Sequence, residues 1–372
     1  MKIASVEAFP VSIAVRPDLA IVSAAGEHRV SRYVIVVLRT DEGPAGVGEA
    51  NVVPVWSGES QAGAAAAIRE ILGPAIVGRD PMEVSALTDA MDRALIGNPF
   101  TKAAVEMALL DLLGKSLHAP VHVLLGGARR PHQVPLKFSI GAFVPPDAAR
   151  VAETALALGL RAVKVKVGTD VAEDLARVEA VRSAVGPDIR IGVDANGGWT
   201  ENQALSGLPR LERLGVNMLE QPLRRGDFRG CARLRARTSI PILLDESVFT
   251  PQDALEAIRA DACDIVSIYP GKNGGIRRSL VIAEMAAAAG LECVIGSNLE
   301  WEIGSAAMLQ LAVAIPHLSR EVDHDIIGPL YHTSRIAATP MAVENGCAVV
   351  PGGPGLGVEV NLERPGGTMA EY

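Results

Sequence analysis

Apolar residues change their spacing three times along the 372-residue chain, and the changes divide it into four stretches. Up to about residue 45 they alternate as in half-buried strands. Tyr33-Val34-Ile35-Val36-Val37-Leu38 is the clearest run, closed by the turn Asp41-Glu42-Gly43-Pro44. Helical spacing follows over Ala64 to Leu72, Met82 to Leu95 and Lys102 to Leu117, the last with Ala104, Met107, Ala108 and Leu112 on one face. These elements predict an α+β domain over residues 1–127, ending near Gly126-Gly127. From about residue 134, short β-branched runs alternate with helical stretches. The strands expected are Val134–Ile140, Ala162–Val167, Ile189–Asp194, Val216–Glu220, Ile242–Asp245, Ile265–Tyr269, Glu292–Ile295 and, more faintly, the region near Glu321–Asp325. Helices such as Asp170–Val185 and Arg277–Ala289 lie between them. Seven or eight strand–helix units predict right-handed crossovers and a parallel sheet, and they fit a closed α/β barrel over residues 128–332 better than an open sheet. The units share no residue pattern, so the period is not that of a solenoid. From about residue 333 the text is strand-like again.

Composition narrows the class. With 49% hydrophobic and 21% charged residues, the chain can build a sizeable core. Its net charge of -8, with basic residues clustered only in pairs such as Arg129-Arg130 and Arg277-Arg278, gives no general attraction for nucleic acid or anionic membrane. No apolar stretch is long enough to span a bilayer, and the opening MKIASVEAFPVSIAV is too short and interrupted for a signal peptide. Cys231, Cys263, Cys293 and Cys347 are widely spaced and read as reduced thiols. A cytoplasmic enzyme is expected. Two glycine-rich segments are not phosphate loops. Pro351 to Gly357 has no helix after it, and Gly271-Lys272-Asn273-Gly274 lacks the Ser/Thr that follows the lysine.

The active end of such a barrel is where its strands finish. There the third expected strand supplies Asp194-Ala195-Asn196, the fourth Glu220-Gln221-Pro222 and the fifth Asp245-Glu246-Ser247. Asp194, Glu220 and Asp245 are 26 and 25 positions apart, one strand–helix unit each. Each acid taken singly reads as a cap of the helix after it. Three in register on successive strands converge instead, and need a counter-charge to stay ionised; Mg²⁺ suits such an oxygen donor set. Lys164 and Lys166, two apart on the second strand, face the same way among Val163, Val165 and Val167. Burial and mutual repulsion are expected to lower an amine pKa toward neutrality and give a lysine base. A metal and a lysine base together suggest removal of the α-proton of a carboxylate, with the enediolate stabilised by charge.

With these residues in place, the chain resembles the enolase superfamily, in its muconate-lactonising subgroup. The resemblance runs through Gly48-Glu49, Asn98-Pro99 with Glu106 and Asp111, Leu125-Gly126-Gly127, Lys164-Val165-Lys166, the three acidic triplets, Gly274-Gly275 and Pro354-Gly355-Leu356-Gly357. It implies a modified (β/α)₇β TIM-like barrel carrying an N-terminal α+β capping domain that the tail, about 333–372, completes. It implies Asp194, Glu220 and Asp245 as Mg²⁺ ligands, Lys166 as acid/base, Lys164 as the group that tunes it, and a homo-oligomer acting on a small carboxylate. One position departs: where the subgroup has a second catalytic lysine, three residues before Lys272, this chain has Tyr269. The seventh strand also leads into Gly296-Ser297-Asn298 in place of a catalytic histidine.

Racemisation needs acid/base groups on both faces of the α-carbon, and tyrosine, with an ordinary pKa near 10, is a poor base. Lys272 replaces it only if the register slips. The expected chemistry is therefore β-elimination (dehydration) or cycloisomerisation, with Lys166 taking the proton and Tyr269 protonating or orienting the leaving group. The alternatives are a racemase or epimerase of an amino-acid derivative or dipeptide, and an inactive binding protein on the same fold. Asn196 and Lys272 are candidate substrate contacts beside the catalytic groups. Cap loops closing on the barrel mouth add His28 and Trp56, and the barrel itself Ser139, Asn298, Glu300 and Trp301.

Overall fold

The computed structural model describes residues 1–360. The chain begins with β1 (Ile3–Ala14), then a small overhanging hairpin of β2 (Ile21–Ser23) and β3 (Gly26–His28), then β4 (Val30–Thr40) and β5 (Gly46–Asn51). Strands β1, β4 and β5 form an antiparallel sheet in that order. The apolar run Tyr33–Leu38 is wholly buried in β4.

Helix Pro99–Ser116 lies against this sheet so closely that a Cβ on Gly46 or Gly48 would meet the carbonyl oxygens of Ala108 or Ala104 at 2.0 and 1.8 Å. Only glycine permits that approach. The helix is buried nearly all round, not on the single face its spacing suggested, because the barrel turn Pro270–Asn273 covers its other side. Its polar residues Lys102, Glu106 and Asp111 are therefore inside.

The barrel sheet runs β7 (Phe138–Ile140), β8 (Ala162–Lys166), β9 (Arg190–Asp194), β10 (Val216–Glu220), β11 (Ile242–Leu244), β12 (Ile265–Ile268) and β13 (Glu292–Ile295), each parallel to its sequence neighbour. The expected strand Val134–Ile140 is two pieces. Its first part, β6 (Gln133–Pro135), pairs with β15 (Cys347–Val349), itself paired with β14 (Val343–Glu344). The eighth position is not a strand. Leu318 bridges Cys293 on one side and His324 bridges Leu136 on the other, and the Asp325 N–H donates to the Ile295 carbonyl. These single contacts close the ring without a ladder.

The tail then reaches back to the cap, where the Leu356 N–H donates to Asp111. The last residues of the expected cap tail, 361–372, lie outside the described residues. All four cysteines are free, and no helix among the described residues is long and apolar enough to cross a membrane.

Cap and barrel are joined by buried carboxylates set on barrel helix N-termini. Glu106 accepts from the N–H groups of Ile276 (2.5 Å) and Arg277 (3.1 Å), at the start of helix Ile276–Ala288. Glu49 accepts from Trp301 (2.7 Å) and Gly304 (3.1 Å), at the start of helix Glu302–Ala314. Each carboxylate satisfies two otherwise orphaned donors. Glu106→Ala is expected to cost about 2 kcal/mol in denaturant unfolding, since two buried N–H groups lose their acceptor. Burial raises the Glu106 pKa to about 7, against the opposing pull of those N–H groups. The folded protein thus holds this proton more tightly than the unfolded chain. Its contribution to stability is full at low pH and is lost as pH rises from about 4.5 to 7. Glu106→Gln should flatten the fall in unfolding free energy across that window.

Candidate active site

Strand register sets the site. Lys166 lies opposite Asp194, and Asp194 opposite Glu220, while Asp245 follows directly on β11. Thus one lysine and three acids reach the same level of the barrel end. None of the three acids caps the helix after it. That task falls to Thr200, Asp227 and Thr250, whose side chains accept from Gln203, Gly230 and Asp253. Asp194, Glu220 and Asp245 are buried, with 1%, 2% and 5% of their surface exposed.

Ammonium groups interlock with these acids. Lys166 Nζ donates to Asp194 Oδ2 (2.5 Å) and Asn196 Oδ1 (2.8 Å). Lys164 Nζ donates to Glu220 Oε2 (3.0 Å) and Asp325 Oδ2 (2.9 Å) and stands 3.6 Å from Asp194. Lys272 Nζ donates to Asp245 Oδ1 (2.7 Å) and to the carbonyls of Asp245 and Ser267. Lys137 Nζ lies 2.9 Å from Asp325 and donates to the Asp323 carbonyl. Asn196, held in the left-handed region at φ +43°, passes the chain on from its Nδ2 to Glu246 Oε1 (2.7 Å).

The electrostatics correct one expectation. Lys164 is buried, which lowers its pKa, but Asp325, Glu220 and Asp194 together raise it well above the ordinary lysine value. The paired lysines do not push each other toward neutrality at this position, because carboxylates outnumber them. Burial, with Asp194 beside it, raises the Glu220 pKa to about 8. Lys137 and Lys164 overcome burial at Asp325 and bring it down to about 2.

A cavity of about 110 Å³ opens on this cluster. Lys164, Lys166, Asp194, Asn196, Glu220, Asp245, Ser139 and Asn298 line it from the barrel, and His28 and Trp56 from the cap. His28 donates to or accepts from Ser31 Oγ (2.8 Å), and burial, with Arg32 nearby, lowers its pKa to about 4, so the ring is neutral.

Four other candidates are not on the wall. Lys272 is fully buried with its three donors spent, since an ammonium has three. Glu300 turns back to accept from Ser297 Oγ and the Asn298 N–H. Trp301 stacks on Tyr33 and donates to the Ser334 carbonyl. Tyr269 lies behind the wall, its ring 6.0 Å from that of Trp56 and 6.2 Å from that of Phe100. Its buried hydroxyl has no hydrogen-bond partner among the described residues. Burial, and then Asp245, Glu300, Glu246 and Glu220, raise its pKa well above 10.

Two residues of the cluster were not singled out from the sequence, Asp325 and Lys137. The signal that marks Asp325 is its place at the end of the eighth barrel position, the same level that exposed the other acids.

The arrangement has relatives. Residues 5–126 match the family "Mandelate racemase / muconate lactonizing enzyme, N-terminal domain", and residues 147–364 match "Enolase C-terminal domain-like". The chain is 33% identical over 362 residues to an N-succinyl-L-Arg/Lys racemase of Bacillus cereus, covering 97% of this chain and 96% of the relative. It superposes on a crystal structure of 2-chloromuconate cycloisomerase from Rhodococcus opacus with TM-score 0.93, 34% identity and 98% coverage of each chain. It superposes on a dipeptide epimerase from Enterococcus faecalis, complexed with Mg and the dipeptide L-Leu-L-Tyr, with TM-score 0.91 and 31% identity, covering 96% and 99%.

Asp325 holds two ammonium groups at once. Asp325→Asn is expected to destabilise the protein by about 3 kcal/mol in denaturant unfolding, because a neutral amide leaves both short of charge. Adding Lys137→Met should restore part of the loss.

Proposed function

Because the chain belongs to the mandelate racemase/muconate lactonizing enzyme family of the enolase superfamily, we propose that it abstracts the α-proton of a small carboxylate from one face. The step that follows is β-elimination or cycloisomerisation. The observation that carries this reading is the asymmetry about the cavity. Lys166 stands on one wall, and the residues in the place of a second base are a tyrosine that keeps its proton and a lysine whose donors are all engaged.

Lys166 is suited to the base role. A neutral amine keeps two N–H donors, which the bonds to Asp194 and Asn196 use, and its lone pair is then free for the substrate proton. Asp194, Glu220 and Asp245 are hard oxygen donors brought to one cavity wall. Among the described residues no acidic or imidazole groups already form a metal cage; Lys164 lies among these acids and offsets their charge. The donor set suits Mg²⁺, which the Enterococcus faecalis relative carries. Bound here, the ion would supply positive charge for the enediolate form of the substrate carboxylate. The electrons of the C–H bond pass into that carboxylate. Their return forms the new C=C bond and expels a β-hydroxyl, which leaves as water with the proton that Lys166 took. In cycloisomerisation an oxygen of the substrate itself bonds to the β-carbon as the C=C electrons pass into the carboxylate, and the α-carbon then takes a proton from Lys166. Lys164, fixed as an ammonium, holds Glu220 and Asp194 in place and faces the substrate carboxylate.

Similarity to racemases and epimerases supports the two-base alternative. Against it stand Tyr269 and the engagement of Lys272. Lys166→Met is expected to lower α-proton exchange into D₂O by at least about a hundredfold while calorimetric Mg²⁺ binding persists. Tyr269→Phe is expected to leave both the exchange and product formation running, since the hydroxyl lies behind the cavity wall; loss of product formation in that variant would bring the hydroxyl into the mechanism.

A further inference from the structure

Away from the cavity, two histidines face each other where cap, barrel and tail meet. His122 belongs to the short cap helix Val121–Leu124, and His132 directly precedes β6. Their Nε2 atoms are 3.3 Å apart, and the ring centroids 4.9 Å apart with the planes at 55°. Neither ring lines the active-site cavity.

The hydrogen bonds behind His122 fix the position of its proton. Gln310, on helix Glu302–Ala314, turns its Nε2 to the carbonyls of Pro351 (2.8 Å) and Leu356 (3.4 Å), so its Oε1 faces the histidine. That oxygen accepts from the backbone N–H of His122 (3.0 Å) and from its Nδ1 (2.7 Å). An amide oxygen only accepts, so Nδ1 carries the proton and Nε2 keeps its lone pair, on the side of His132. A metal-ligating histidine is oriented in the same way, with its other ring N–H held by a fixed oxygen.

The spacing selects the kind of ion. Zn²⁺ binds imidazole nitrogen at about 2.0–2.1 Å in tetrahedral geometry, which sets two such nitrogens about 3.3 Å apart and their ring centroids about 5.2 Å apart. Adjacent ligands of a square-planar ion with similar bonds would stand closer, at about 2.9 Å. Mg²⁺ prefers oxygen ligands. His122 is buried and His132 exposed, so the pair opens to solvent on one side. Among the described residues no third His, Cys, Asp or Glu completes a cage, which leaves the remaining positions to water.

We infer that His122 and His132 form a second cation site, apart from the acids at the barrel mouth, that takes Zn²⁺ through two imidazole nitrogens. In the free pair His132 donates from Nε2 to His122; when the ion binds, that proton moves to Nδ1 of His132. The bound ion ties the cap helix to the segment that leads into the barrel.

The test uses the full chain in excess Mg²⁺ and compares it with His132→Gln, a change at an exposed position. Calorimetry reads Zn²⁺ binding, visible absorption reads Co²⁺ as a zinc surrogate, and thermal unfolding reads stability. The unaltered protein is expected to bind one Zn²⁺ at least about tenfold more tightly than the variant. It should also show strong bands of tetrahedral cobalt that the variant lacks, and a Zn²⁺-dependent rise in unfolding temperature that the variant does not share. Equal Zn²⁺ affinity and equal cobalt spectra in the two proteins overturn the inference, as does a failure of the unaltered protein to bind Zn²⁺ at all.

Discussion

Four lysines and four acids interlock at the mouth of the barrel, and the site depends on that network. Each of Asp194, Glu220, Asp245 and Asp325 is buried, and a buried carboxylate survives only with a partner. The partners come from different elements: Lys164 and Lys166 from β8, Lys137 from the segment before β7, and Lys272 from the turn after β12. Asp325, shared by Lys137 and Lys164, ties the eighth position to the first two strands although hardly any sheet pairing is present there. Electrostatics thus reinforces a ring that the backbone closes only through single contacts.

The same economy places the cap. Glu49 and Glu106 reach from the cap to the first turns of two barrel helices, so the cap's position is set by backbone donors. That contact fixes where His28 and Trp56 meet the cavity. Trp56 touches Phe249 and Tyr269 from the cap side, with ring centroids 5.1 and 6.0 Å away. Cap, cavity wall and the residue in the second-base position form one continuous aromatic contact.

Much of this was legible in the chain. Asp194, Glu220 and Asp245 stood out because each ends a short apolar run at a regular interval, and the lysines of β8 because charge inside a valine run is costly. What the spacing could not show is partnership. Lys272 follows its strand closely, and only the folded backbone shows its amine bound to Asp245 and two carbonyls. One amine of the Lys164 and Lys166 pair was expected to have a depressed pKa on pairwise grounds; at Lys164 three acids from three different elements raise it instead. Asp325 was passed over because the strand pattern near Glu321–Asp325 is faint, and the segment forms only isolated bridges. The hairpin of β2 and β3 was missed for a similar reason: its strands are three residues each, too short for alternation to register.

The central claim is that proton transfer at the α-carbon occurs from one face. The most direct test is the configuration of substrate recovered part-way through turnover in D₂O with Mg²⁺ present. The account predicts product formed by loss of water or ring closure, with any deuterium in recovered substrate at an α-carbon of unchanged configuration. Deuterated substrate of inverted configuration would contradict it, because a second base would then have to act opposite Lys166.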